Sequence, residues 1–347
     1  MNKIFLKGIK PGLFLLWLIV SILMASLCLK ANNEEDSLIV VPDSMGRLVS
    51  VPKNPRRILP FTLAATELIR LMDGMDRIVG TTTTIKQRAD LMPDIINIPD
   101  IGRGFTPNLE ELVRLSPDLV ITWCDYPGPE LERQLEPLGI KVLRLDLMKP
   151  QYFYQETRLL AKILGPKASE KAEIFLNWYY SLDTEYQELL HKSGQGRKTF
   201  LIEQAQMGTV IGNTSGIHDT IVLAGGDNLA SNIPKTYADV GTEWMIRANP
   251  QFLLKIFRNS NEPRSEIPRR MEEMQNSVLS RKGWEDMQAI LNKNVYVLDA
   301  DLCQGPRNIV GIYTIAHWFY PDLVSTEKAT IIMSNYLEKF QNISVVP

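Results

Sequence analysis

The chain has 347 residues, 45% of them hydrophobic and 22% charged, with a formal net charge of −2. At roughly 150 residues per domain that length predicts two domains. The composition suits a globular protein with a sizeable core, and the near-neutral charge excludes the long-range attraction on which nucleic-acid binding depends.

The N-terminus differs from the rest. Lys3, Lys7 and Lys10 form a basic head, Leu13 to Leu27 an apolar run broken mildly by Trp17 and Ser21, and Asn32 to Asp36 a polar exit. That order predicts export, with residues 1–36 as a signal peptide. A retained membrane anchor is the alternative, because the run is near the lower limit for a span. Cys28 is a candidate lipid-attachment residue, although Leu27 stands where a small residue is usual, and Ala31 offers an ordinary cleavage point. Each reading places the bulk of the chain on the periplasmic or extracellular face of the membrane.

From Leu38 onward, short apolar runs alternate with amphipathic ones. Strands are predicted at Arg57–Phe61, Ile78–Thr82, Leu119–Trp123, Val142–Leu145, Thr199–Glu203, Phe252–Phe257 and Val295–Leu298. Helices fall between them at Ala64–Met72, Leu109–Leu115, Glu130–Leu138 and Ile217–Ala224. Such alternation implies βα units and parallel sheets. The stretch from Gln151 to Leu190 is helical throughout and interrupted only at Gly165-Pro166, where the proline suits the first turn of a new helix. Lys167 to Leu190 then reads as a helix of about 36 Å, long enough to cross between lobes. The expected organisation is an N-terminal lobe over residues 37–165, a spine helix over 166–193 and a C-terminal lobe over 194–347. Cys124 and Cys303 lie far apart and lack metal-ligand spacing; they are read as packing or pocket-lining residues, with pairing left open.

The two halves echo each other. Leu109 to Asp118 leads into Leu119-Val120-Ile121, and Thr242 to Gln251 leads into Phe252-Leu253-Leu254. Each unit is a short helix, a polar residue with proline, and an apolar strand. In each, a glutamate (Glu110, Glu243) stands seven residues before the proline. A carboxylate in the first helical turn is also favoured by the helix dipole, so a structural role explains the placement equally well.

In open parallel sheets, ligands bind beyond the carboxyl ends of the strands. That rule selects Trp123 and Tyr126 after Leu119–Thr122, Met207 after Thr199–Glu203, Arg258 and Asn259 after the strand at Phe252, and Arg307 beyond Val295–Leu298. Arg103 precedes the Glu110 helix and Tyr237 precedes Glu243. Aromatic rings can stack on a flat or apolar ligand, and arginines can pair with its oxygens. His191, His218 and His317 are scattered, which argues against a bare-metal site. Either Tyr126 or Tyr237 is a possible axial ligand for haem iron. No G-x-S-x-G, H-E-x-x-H, P-loop or G-x-G-x-x-G occurs. The chain is therefore read as a non-enzyme without a resident cofactor. The competing classes are a chelate-processing enzyme on the same scaffold and a purely structural surface protein.

Several motifs in order carry a family resemblance. They include Val41-Pro42-Asp43 to Arg47, Asn54 to Ile58, Arg77 to Gly80 and Ser116-Pro117-Asp118-Leu119-Val120-Ile121. Ala224-Gly225-Gly226, Asn294-Val295-Tyr296, Gly305-Pro306-Arg307 and Ala316 to Pro321 follow. Together they resemble the iron-siderophore, haem and cobalamin group of periplasmic solute-binding proteins of ABC importers. The resemblance implies two Rossmann-like lobes joined by a long helix, with one chelate held between them. A ferric siderophore is the first expectation, and a corrinoid or haem the alternative. It further implies a monomer that docks on an ABC permease dimer, with its ATPase, through a glutamate on each lobe, here Glu110 and Glu243.

Overall fold

The computed structural model describes residues 38–89, 91–258, 263 and 265–343. The expected signal segment and Cys28, and also Asn259, lie outside the described residues. Among the described residues no helix is long and apolar enough to cross a membrane.

The chain opens with an antiparallel hairpin, Leu38–Pro42 against Leu48–Pro52. A three-stranded parallel sheet follows, in the order Ile58–Pro60, Leu119–Thr122, Lys141–Arg144. The second sheet runs Tyr237–Asp239, Thr209–Ile211, Lys198–Glu203, Phe252–Phe257, Val295–Asp299, with Gly226–Asn228 also pairing to Lys198–Glu203. Its central strands are parallel. Helices Pro150–Leu164 and Pro166–Ser193 connect the two sheets. The second, the spine, has 28 residues and is therefore about 42 Å long.

The predicted strand Ile78–Thr82 does not form a ladder. Only isolated bridges occur there, Ile58 with Ile78 and Thr81 with Asp100. The apolar residues are buried as expected, but the backbone leaves the sheet after one contact. The other predicted strands are present with ends shifted by one or two residues, a normal spread for element boundaries.

Alternation along the strands divides the interior into three parts. Ile58, Ile121 and Leu143 of the first sheet and Phe200, Ile202, Leu254 and Ile256 of the second face one shared core. That core also holds Phe175, Tyr179 and Tyr186 of the spine. The opposite faces bury private cores, with Leu59, Val120 and Val142 in the first lobe and Leu201, Leu253 and Val295 in the second. Two lobes that share a core cannot separate without exposing it, so the fold resists hinge opening.

A buried ion pair crosses the same boundary. Glu67 lies on helix Leu63–Leu71 in the first lobe, and Arg307 ends the short turn Gly305–Arg307 in the second. Arg307 Nε lies 2.9 Å from Glu67 Oε1, with both side chains almost completely buried. Tyr336 and Gln341, at the end of the closing helix Thr326–Phe340, donate to the Glu67 carboxylate and carbonyl at 3.2 Å each. Asp301 joins Arg307 to Arg88 of the first lobe. Gly305 makes the approach possible: it adopts a φ of +59°, and a Cβ there would lie 2.6 Å from that of Ala64.

Removing one partner of a buried pair strands the other charge, which costs about 3–5 kcal/mol. Arg307→Met should therefore lower stability by that order in urea denaturation. Adding Glu67→Gln should recover part of the loss, because no bare charge then remains. A loss below about 1 kcal/mol for the single variant contradicts the pinning role.

Candidate functional site

The loop after Leu119–Thr122 has no strand partner, and buried charge holds it instead. Arg144 ends the neighbouring strand. It is 3% exposed, grips both oxygens of Glu132 at 2.6 and 2.8 Å, and donates to the carbonyls of Trp123, Cys124 and Gly128 at 2.9–3.1 Å. Thr122 Oγ1 donates to the Tyr126 carbonyl at 2.8 Å. The loop is thus fixed, with Trp123 and Cys124 half-buried and Asp125 and Tyr126 exposed.

Those side chains build a platform. Phe105 sits at the tip between strands Gly102–Arg103 and Thr106–Pro107. Its ring stacks on Trp123 with centroids 5.1 Å apart and meets Tyr126 edge-on at 5.3 Å. Trp123 Nε1 donates to Met148 Sδ at 3.1 Å. A Cβ on Gly104 would fall 2.9 Å from the Trp123 ring, so only glycine lets the ring lie flat there. Phe105 is 59% exposed and Tyr126 56% exposed, a large apolar area left open to solvent. Arg103 is exposed on the same hairpin.

The second lobe repeats this construction. The Glu203 carboxylate, fully buried, accepts from Lys255 Nζ at 2.9 Å, from Arg281 at 2.8 and 3.0 Å, and from the Gly208 amide at 3.1 Å. Lys255 also donates to the carbonyls of Gln204 and Ala205. The loop held in this way carries Met207, which is exposed. Tyr237 and Arg258 are exposed at the edge of the second sheet and at the carboxyl end of Phe252–Phe257.

Of the residues predicted from sequence, Trp123 and Tyr126 are brought together and Arg103 lies on the hairpin that joins them. Met207, Tyr237 and Arg258 are exposed on the second lobe. Arg307 is 1% exposed: its guanidinium pairs with Glu67 and approaches Asp301, while its buried Nη1 has no hydrogen-bond partner. Phe105 was missed, although a lone aromatic between Gly104 and Thr106 in a loop of small residues was a usable signal.

The repeated helix–proline units share several local features. Glu110 and Glu243 are exposed in the first turns of Leu109–Arg114 and Gly241–Ala248. Glu243 has only a long contact, 3.9 Å to Arg247. Both helices stop on a left-handed residue before proline, Ser116 at φ +46° and Asn249 at φ +47°. The next side chain then ties the unit to the adjacent strand. Asp118 accepts the Arg56 amide at 2.8 Å, and Gln251 Oε1 accepts the Thr199 amide at 2.9 Å.

Comparison with known proteins agrees with this architecture. Residues 61–302 match the family described as periplasmic binding protein. The chain belongs to that family. It is 26% identical over 178 residues to the vitamin B12-binding protein of Salmonella paratyphi A, spanning 50% of this chain and 64% of that relative. It is 24% identical over 290 residues to the high-affinity haem uptake system protein IsdE of Staphylococcus aureus, spanning 82% and 89%. The structure of the molybdate periplasmic binding protein MolA of Haemophilus influenzae superposes with a TM-score of 0.72 at 18% identity, covering 89% of this chain and 99% of the other.

One titratable group of this periplasmic binding protein stands behind the platform. Glu156, on helix Pro150–Leu164, is 6% exposed. Its Oε1 accepts the Ser44 hydroxyl and, at 3.0 Å, the Asp146 amide, while Oε2 has no partner. Burial pushes its pKa up to about 7. Asp146 belongs to the segment that carries Met148, the acceptor for Trp123. Burial likewise pushes the nearby Cys124 thiol up to about 12.

The consequence for stability has a definite sign. Between about pH 4.5 and 7 the native chain holds a proton on Glu156 that the unfolded chain has released. Stability therefore falls as pH rises through that window, by up to about 3 kcal/mol from this group. Glu156→Gln should remove this contribution and flatten the profile of urea stability from pH 5 to 8. Parallel profiles for the two proteins contradict the assignment.

Proposed function

We propose that this periplasmic binding protein is exported, captures one metal chelate between its lobes as a monomer, and delivers it to the membrane permease of an ABC importer. The observation that carries the reading is the exposed ring platform of Phe105, Trp123 and Tyr126, clamped from below by Arg144. Rings held in place by buried charge bind a broad, partly apolar ligand at little ordering cost. Met207, Tyr237 and Arg258 are proposed as the contacts from the opposite lobe, and tethering is assigned to the N-terminal segment or a lipid at Cys28.

A ferric siderophore is the first reading of the ligand. Its aromatic arms would stack on the platform, and its charged oxygens would pair with Arg103 and Arg258. A corrinoid is the second, favoured by the breadth of three adjoining rings and by the relatives named for vitamin B12 binding. Titration with a ferric catecholate, a ferric hydroxamate, cyanocobalamin and haemin, followed by tryptophan fluorescence, separates them. Replacing Trp123 or Tyr126 by alanine should weaken the chelate that binds by about tenfold, roughly 1.4 kcal/mol, with melting curves unchanged. Unaltered affinity in both variants, or no binding of any chelate by the wild type, contradicts the proposal.

Glu110 and Glu243 are proposed as the paired anchors for the permease. Partly desolvated pairs with permease arginines would make each worth about 2 kcal/mol or more on docking. Helix-dipole roles alone would instead cost a few tenths to about 1 kcal/mol of stability. Reconstituted uptake should fall for Glu110→Ala and for Glu243→Ala, and further for the double variant, with ligand affinity and melting unaffected. Normal uptake by the double variant returns both residues to a structural role.

A further inference from the structure

A cavity of about 380 Å³ opens beside the spine, away from the ring platform and lined by none of its residues. Helix Pro150–Leu164, the spine, helix Gly216–Leu223 and helix Asn308–Phe319 form its walls. Pro150, Val222, Leu223 and Ile312 supply apolar surface, and Tyr179 an aromatic face. The Tyr179 hydroxyl is already spent on Asn308 at 3.1 Å.

The polar part of the lining is unbalanced. Asp183 and Asp219 both border the cavity, whereas among the described residues no lysine or arginine does. Lys149 is near Asp219, but its ammonium is paired with Asp146 at 3.2 Å. Asp183 Oδ1 and the Tyr154 hydroxyl are covered and have no hydrogen-bond partner. Gln187, whose amide donates to the Leu223 carbonyl at 3.0 Å, is a neutral neighbour of Asp183. Burial raises the pKa of Asp183, as expected for a carboxylate that lacks a counter-ion. An unpaired oxygen in a covered site is unfavourable, and a bound donor would relieve it.

From the cavity's shape, its two carboxylates and its unpartnered oxygens, the geometry points to a second binding site, for a small aliphatic ammonium compound. The ammonium would lie between Asp183 and the Tyr154 hydroxyl, both of which can accept its N–H groups. The Tyr179 face adds cation–π attraction, and the alkyl portion would lie along Val222, Leu223 and Ile312. A second ammonium on a diamine would reach toward Asp219. A metal ion fits less well, because among the described residues no three His, Cys, Asp or Glu side chains form a cluster able to hold one. The cavity size is in the range of small-molecule sites.

The test uses the full chain, with putrescine as the probe and 1,4-butanediol as its neutral counterpart, at matched ionic strength in a calorimeter. Putrescine should bind at a stoichiometry near one, and butanediol should not. Asp183→Asn should weaken putrescine at least tenfold, and Tyr154→Phe several-fold. Asp183→Asn removes a buried charge, so the variant is expected to fold, and its melting curve checks this. Trp123→Ala should leave putrescine binding unchanged, which separates this site from the chelate cleft. Putrescine binding no tighter than butanediol, or equal affinity in the wild type and Asp183→Asn, overturns the proposal whatever the chelate titrations show.

Discussion

The contact between Arg307 and Glu67 sets the geometry on which the rest of the structure depends. It joins the lobes at a point where water is excluded, and Tyr336, Gln341 and Asp301 complete its surroundings. Desolvating two charges is expensive, and attraction offsets that cost only when the partners stay in register. Registry is what this pair supplies. Gly305 against Ala64 and the shared apolar core around the spine enforce the same spacing. The spacing of the two lobes is therefore fixed by contacts that large domain motion would have to break.

Each lobe then solves the same local problem. A parallel strand ends, and the loop beyond it has no ladder to satisfy its carbonyl groups. In the first lobe Arg144 fills three of them; in the second, Lys255 fills two while Glu203 takes the Gly208 amide. These buried charges hold loops whose outer side chains stay exposed. The left-handed stops at Ser116 and Asn249, followed by proline, repeat a second device. It fixes the direction in which the Glu110 and Glu243 helices leave the sheet. Asp118, in the Ser116-to-Ile121 motif, has a structural role, since its carboxylate accepts the Arg56 amide just before strand Ile58–Pro60.

Much of this was legible in the sequence because it rests on local pattern. Apolar strands between amphipathic helices predicted the parallel sheets, and the glutamate-to-proline spacing exposed the internal repeat. The rule that ligands bind beyond strand ends singled out Trp123 and Tyr126, and both rings meet Phe105. Lys255, alone within Phe252–Phe257, and Arg144, within an apolar strand, were visible anomalies of the kind that signal a buried partner. What was not legible depends on distant pairing. The Arg307–Glu67 pair is one such contact, since nothing near Arg307 in sequence reveals Glu67. Ile78–Thr82 has strand composition, yet its backbone pairs only at isolated positions. Phe105 acquires meaning only when the hairpin folds over Trp123.

The central claim is that the ring platform holds an organic metal chelate. It is tested most directly by metal analysis and mass spectrometry of the wild type and Trp123→Ala purified side by side from the native host. The account predicts a metal and its organic chelator in equal amounts on the wild type, both depleted on the variant. A metal without an organic chelator, or equal loading of the two proteins, would contradict it.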